Sequence, residues 1–329
     1  MICGCLTIKT SQPCETQSNG WTQNVETFGW EMKDTQRFSF CWTFSGIGLQ
    51  TITQTTLVLS IFQDSRLLFI ANDHEEQRFF PTKMTVALTI PPATSFKLFK
   101  TNELNWGGVQ LHGATEGTFQ RPPPIDIPVV EFVGDSLTSG FGNITNSPCD
   151  MDCTQTWCMF LAKEFGWFPL FSSLSGVGLI SNFDGSTSST IRQVRARIPQ
   201  NHHLSSWTPR VVFINIGTND FTLHRSLDFA ERFGSALHSF IRQIRSEWGR
   251  ETKVIVVIGP IIEAVGAETC ERVARACKAD GMDVDFMSCN GCLDGRLDCW
   301  GYAMHPNVKG HRRMADVLIP QLKRMFNSN

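Results

Sequence analysis

The sequence predicts an α/β domain with a parallel sheet over residues 128–329, preceded by an all-β domain over residues 21–120. Three observations carry that division. Downstream, short apolar runs alternate with amphipathic stretches, which implies strands crossed over by helices. Upstream, the runs are short, rich in β-branched and aromatic residues, and separated by polar turns. Between them lies RPPPIDIP, whose consecutive prolines stiffen the backbone and remove donors, as in an interdomain strap over residues 121–127.

Residues 1–20 are polar and unpatterned and read as a tail. FSFCWTFSG, TLVLSIF, RLLFIAN, MTVALTI and SFKLFKT then supply the strands of a sandwich or barrel, with NDHEEQ and PPATS among the turns. After the strap, VVEFVG is a strand and TQTWCMFLAKEFGW a helix. FSSLSG and VVFINIG follow as strands. SLDFAERFGSALHSFIRQIRSEWG is a long helix in which Phe229, Phe233, Leu237, Ile241 and Ile244 recur every three or four residues. KVIVVIGP is a buried strand, GAETCERVARACKADG a helix and MDVDFM a strand. NVKGHRRMADVLIPQLKRMF closes the chain as a helix that Pro320 is expected to kink.

Composition narrows the function. The formal net charge is −2 with no basic block, which argues against a nucleic-acid partner. No apolar run reaches membrane-span length, so no membrane partner is expected. MICGCLTIKT lacks the features of a signal peptide, so the chain is cytosolic or written without its true start. The twelve cysteines favour the second alternative and a secreted protein. Cys149, Cys153 and Cys158 form one cluster, and Cys289, Cys292 and Cys299 another. Disulfides, free thiols and zinc all remain open. Only Cys289 and Cys292 have zinc-like spacing, and disulfides need no fixed spacing. Cys270 and Cys277 are too far apart along one helix to bond each other.

Ligands of parallel sheets sit at the carboxyl ends of the strands. Four short motifs fall there: Gly134-Asp135-Ser136-Leu137, Ser175-Gly176-Val177-Gly178, Gly217-Thr218-Asn219-Asp220 and His305-Pro306-Asn307. Together they fit ester hydrolysis. A serine hydroxyl needs a base, and His305 can serve Ser136. The tetrahedral oxyanion needs fixed donors, and the N–H groups of Ser136 and Gly176 with the Asn219 amide could supply three. Asp220 and Asp135 read as internal hydrogen-bond acceptors. His311 is the rival base, on the following helix. His202 and His203 read as solvated loop, and Asn143 of the sequon Asn143-Ile144-Thr145 as a residue holding the active-site loop.

The four blocks resemble those of the SGNH, or GDSL, hydrolase superfamily over about residues 128–326, in the family's order. LFKTNELNWGGVQLHG, the proline strap, EFVGDSLTSGFGN and SSWTPRVVFINIGTND look in addition like carbohydrate esterases of family 2. That resemblance implies an N-terminal jelly roll ahead of a three-layer α/β/α domain. It implies a secreted serine esterase that removes acetyl groups from acetylated xylan, mannan or glucan, with preference for 6-O-acetyl hexose, through an acetyl-serine. An acetylated polysaccharide or oligosaccharide is the expected partner, with no metal or cofactor and a monomeric state. Lipid or small-molecule esters on the same site, and a non-catalytic carbohydrate-binding protein, are the alternatives.

The family usually places an aspartate three residues before the histidine, where this chain has Tyr302. A Ser–His dyad with a main-chain carbonyl in the acid's place is favoured, and Asp298 is the alternative third member. Trp300 and Tyr302 could form a sugar-stacking wall or simply pack. At least one disulfide is expected to join the 149/153/158 cluster to the 289/292/299 cluster, bracing Ser136 against His305.

Overall fold

The computed structural model describes residues 7–10, 26–28, 32–34, 37–40, 45–62, 64–72, 75–79, 84–120, 126–145, 147–148, 150–197 and 208–327. The chain divides into two compact units, residues 1–126 and 127–329. The strap residues 121–125, the His202–His203 pair and Cys3, Cys5, Cys14, Cys41 and Cys149 lie outside the described residues.

The first unit contains twelve described strands: β1 (Thr7–Thr10), β2 (Glu26–Phe28), β3 (Met32–Asp34), β4 (Arg37–Phe40), β5 (Ser45–Thr51), β6 (Thr55–Ile61), β7 (Leu67–Ala71), β8 (Glu75–Phe79), β9 (Met84–Ile90), β10 (Ser95–Lys100), β11 (Val109–Glu116) and β12 (Phe119–Gln120). They form two antiparallel sheets, ordered β1-β9-β6-β11-β4-β3 and β12-β5-β10-β7-β8, with β2 also on β5. Alternate residues point to one shared core. Leu57, Leu59, Val86 and Leu88 come from the first sheet, and Ile47, Leu49, Phe96 and Leu98 from the second. The segment read as a tail contributes β1, which pairs antiparallel with β9 from Thr7↔Thr89 to Thr10↔Val86. Backbone pairing with an available sheet edge makes this strand, and a four-residue run carries too little pattern to announce it.

The second unit is built on β13 (Val129–Gly134), β14 (Phe168–Ser173), β15 (Val211–Asn215), β16 (Lys253–Ile258) and β17 (Val284–Ser288). All pair in parallel, in the order β14-β13-β15-β16-β17. Every residue of β13, β14, β15 and β16 is buried, so both sheet faces are covered. The helices are α1 (Ser136–Ser139), α2 (Trp157–Phe165), α3 (Ile191–Arg197), α4 (Thr218–Leu223), α5 (Leu227–Trp248), α6 (Ala264–Ala279) and α7 (Val308–Asn327). α2 packs on α7, and α5 on α6. The five apolar positions expected to line α5 are all buried. α7 runs through Pro320 as a single helix.

β14 begins at Phe168, earlier than the sequence suggests, and contains Pro169. It is an edge strand, where proline's missing donor is tolerated. Because β13 lies between β14 and β15, the strand order reverses at the carboxyl ends of β13 and β15. A doubly wound sheet opens its ligand crevice at that point.

At the centre of the sheet the Phe132 ring stacks on Phe213, with centroids 4.9 Å apart. Beside it on β13 the fully buried Glu131 meets Arg195 through Nε at 2.9 Å and Nη2 at 3.1 Å. Ser172 Oγ at 2.6 Å and Trp248 Nε1 at 2.8 Å donate to the same carboxylate. Burial alone would raise the Glu131 pKa. The Arg195 charge and these hydrogen bonds win, and hold the carboxyl below its usual range.

Candidate active site

Ser136 opens α1 immediately after β13. Asp135 caps the turn, its Oδ1 accepting the Leu137 N–H at 3.0 Å. The turn points the serine hydroxyl into the crevice, where His305 Nε2 lies 2.8 Å from Ser136 Oγ. The other ring nitrogen, Nδ1, is 3.0 Å from the Ala303 carbonyl oxygen. A carbonyl can only accept, so Nδ1 carries the proton and Nε2 is left free to take one from Ser136.

The loop is shaped to make this contact. Ala303 and Met304 both adopt left-handed backbone, at φ 48° and 59°. Neither is glycine, so each conformation costs of order 1–3 kcal/mol. Three bonds hold the bend: Gly301 N–H to His305 O at 2.7 Å, His305 N–H to Tyr302 O at 3.0 Å and Asn307 N–H to Cys299 O at 2.9 Å. The Phe141 ring meets the imidazole edge-on at 4.9 Å.

Asp298 does not reach this centre. Its carboxylate lies 3.4 Å from Lys309 Nζ and is largely exposed, while the Ala303 carbonyl occupies the place a third member would take. Asp298→Ala should therefore lower kcat/KM far less than the ~10⁴ typical of losing a triad acid, as steady-state kinetics on an acetyl ester will read. A loss of that size would restore the triad.

Burial lowers the His305 pKa and outweighs the hydrogen bonds the ring donates to the Ala303 and Tyr302 backbone, which raise it. The neutral, proton-accepting form therefore persists below the ordinary value of 6.5. The acid limb of kcat/KM should have its midpoint below that value. Burial also pushes Asp135 up to about 7, against the Leu137 amide that lowers it. Asp135→Asn keeps the cap and should leave the limb where it is. A limb that moves with Asp135→Asn would contradict the assignment to His305. His311, the rival base, is fully buried and pushed down to about 3, first by burial and then by His305. Its Nδ1 accepts the Trp157 N–H at 3.4 Å.

Gly176 follows β14 with φ +79°, and a Cβ there would project into open space. Its left-handed backbone requires glycine. Asn219, at the start of α4, donates from Nδ2 to Val177 O at 2.8 Å and has a long contact of 3.4 Å to Asp135 Oδ2. Asp220 ties these two blocks together. Its carboxylate accepts the N–H groups of Leu179, Ile180 and Ser181 at 2.8, 2.8 and 3.0 Å. A Cβ on Gly178 would stand 2.7 Å from Asp220 Oδ2 and 1.9 Å from Ser181 O, so only glycine admits this approach.

Ser136 and His305 are thus in direct contact, and the Asn219 amide reaches both the residue before Ser136 and the residue after Gly176. Tyr302 packs on Phe141 with centroids 5.7 Å apart and flanks the base through its backbone. Trp300 forms an isolated bridge with Pro306, and its carbonyl accepts the Asn307 amide at 3.0 Å. Asn143 is buried, with both amide atoms bonded to the Asp152 backbone at 3.0 Å, which leaves its nitrogen committed to the loop. The residues that sequence reasoning missed are Ala303, whose contribution is a carbonyl, and Phe141.

The expected disulfide is corrected. Cys158, Cys270, Cys277, Cys289, Cys292 and Cys299 are free thiols, so no member of the second cluster is bridged to the first. Three of the sulfurs face local acceptors. Cys158 Sγ faces Thr138 O at 4.0 Å, Cys289 Sγ faces Ile258 O at 3.5 Å and Cys299 Sγ faces Asp298 Oδ1 at 3.8 Å. Among the described residues, no group of three or more His, Cys, Asp or Glu side chains is placed to hold a metal ion.

A family described as GDSL-like Lipase/Acylhydrolase matches residues 130–318. The chain is similar to Cellulase/esterase CelE of Acetivibrio thermocellus, 26% identical over 69% of this chain and 29% of that one. It is also similar to an acetylxylan esterase / glucomannan deacetylase of Cellvibrio japonicus, 27% identical over 59% of this chain and 58% of that one. It therefore matches less than two thirds of either relative's length. Its fold is that of a family two carbohydrate esterase from Clostridium thermocellum, solved in complex with cellohexaose (TM-score 0.77, 22% identity, 92% of this chain and 99% of that one). The family two carbohydrate esterase from Cellvibrio japonicus superposes with TM-score 0.78 at 18% identity, over 98% of this chain and 99% of that one.

Proposed function

From the premise that this chain belongs to the GDSL-like lipase and acylhydrolase family, we propose that it is a secreted, monomeric serine esterase removing O-acetyl groups from polysaccharide. The observation that carries the reading is the relay from Ser136 Oγ through the His305 ring to the Ala303 carbonyl.

Ser136 Oγ attacks the acetyl carbonyl carbon while His305 Nε2 takes the hydroxyl proton. The tetrahedral oxyanion is met by the N–H groups of Ser136 and Gly176 and by Asn219 Nδ2. One Asn219 N–H stays on Val177 O, and the other exchanges its long Asp135 contact for the oxyanion. Collapse breaks the bond to the sugar oxygen, which leaves with the proton from His305. Water, deprotonated by His305, then attacks acetyl-Ser136, and acetate departs with the serine hydroxyl restored. The Ala303 carbonyl fixes the imidazole tautomer, and stabilises imidazolium less than a carboxylate would.

The substrate class rests on the likeness to the acetylxylan esterase / glucomannan deacetylase and to the structure holding cellohexaose. We read the two-sheet N-terminal unit as the jelly roll of such esterases, and acetylated xylan, mannan or glucan, with 6-O-acetyl hexose preferred, as the substrate. The test is acetate release from acetylated xylan and acetylated glucomannan, wild type beside Ser136→Ala. Release by the wild type alone supports the reading. A folded wild type that releases acetate from neither polymer removes polysaccharide as substrate.

A further inference from the structure

Behind the segment that carries His305 lies a second cavity, of about 490 Å³. It is bounded by Asp298 and Cys299 before the histidine and by the first turns of α7 after it. That volume is in the range of small-ligand sites. Four cations and two carboxylates line it, a formal surplus of two positive charges in a chain whose net charge is −2.

The cations are unevenly used. Lys309 Nζ is 3.4 Å from Asp298 Oδ2. The Arg312 guanidinium lies 3.7 Å over the buried Phe160 ring and is committed to it. Arg296 and Arg313 are exposed and have no ion pair among the described residues. Two guanidinium groups held at one cavity repel each other, and the positive end of the α7 dipole adds to that repulsion. Two of the first three amides of α7 are already taken: Val308 N–H by Asn143 O at 3.2 Å, and Gly310 N–H by Asn307 Oδ1 at 3.0 Å. Anion recognition at this cavity therefore falls to the side chains, and planar guanidinium forks suit carboxylate and sulfate oxygens.

We propose that this cavity is an anion-binding subsite for an acidic sugar, one bearing carboxylate or sulfate, with Arg296 and Arg313 gripping the charge. The identification of the anion as a sugar rests on the polysaccharide reading above. The lining includes neither Ser136 nor His305, so the enzyme would grip acidic residues of an acetylated polymer away from the contact where the ester is cut.

The test is calorimetric titration of the full chain with trigalacturonate, with a sulfated galactose oligosaccharide and with neutral xylotriose. None of the three carries an ester. The wild type is compared with the double variants Arg296→Gln/Arg313→Gln and Arg296→Lys/Arg313→Lys, each checked by thermal unfolding. At least one anionic probe should bind the wild type, with affinity falling as salt rises. The Gln variant should bind it at least tenfold more weakly, and the Lys variant should fall between. Xylotriose should not bind at this site. The anionic probe that binds identifies carboxylate or sulfate as the group recognised. The proposal is overturned if neither anionic probe binds, if the Gln variant binds the anionic probe as tightly as wild type, or if the Gln variant weakens xylotriose binding as much as it weakens the anionic probe's. Acetate release is measured separately, so binding without esterase activity would remove only the function reading, and the reverse only this subsite.

Discussion

Ser136→Ala and His305→Ala should each lower kcat on an acetyl ester by about 10⁴–10⁶, and the double variant should lose little more than either alone. The reason is that the two side chains act as one unit across a 2.8 Å contact. Without the base, the hydroxyl proton has nowhere to go. Without the hydroxyl, the base has nothing to activate. What remains is binding and the donors of Gly176 and Asn219. Steady-state kinetics on a chromogenic acetate, with the three variants side by side, reads this directly. Two losses that multiply in the double variant would mean that Ser136 and His305 act in separate steps, and the relay would be wrong.

Glu131→Gln should lower the stability of the second unit by about 3 kcal/mol, because it leaves the buried Arg195 guanidinium with only the partly exposed Glu247 as countercharge. For a unit of this size that is a fall in melting temperature on the order of 10 °C. The pH dependence follows from the depressed carboxyl. In the folded chain its pKa lies below the ordinary 4.5, so its contribution is full above that value and is lost as the pH falls through the folded pKa. Wild type and Glu131→Gln should therefore converge in melting temperature at acid pH. A variant that melts with wild type at neutral pH would show that the Arg195 pair contributes nothing net.

The candidate site was legible where its chemistry needs a particular residue type. Ser136, Gly176, Asn219 and His305 stand at the ends of strands or at the start of the last helix, and both placements can be read from apolar periodicity. The Ala303 carbonyl was not legible as a residue, since every residue carries one. Its place depends on two non-glycine residues held at positive φ by bonds across the loop. Asp220 was readable as an acceptor, but its three amide partners emerge only once β14 and β15 are neighbours of β13. The cysteines misled because their number says nothing about the distance between thiols, and the sulfurs of Cys158, Cys289 and Cys299 face local acceptors instead. β14 and β1 were displaced or missed for a related reason. Edge strands take their bounds from the neighbour's backbone more than from their own pattern.

The central claim is that Ser136 carries the acyl group. The direct measurement is rapid acid quench of the wild type turning over an activated acetyl ester, followed by peptide mass analysis. One added acetyl group is expected on the peptide containing Ser136, formed during turnover and absent from Ser136→Ala. Steady acetate release with no acetyl on that peptide, or with acetyl on another residue, would contradict it.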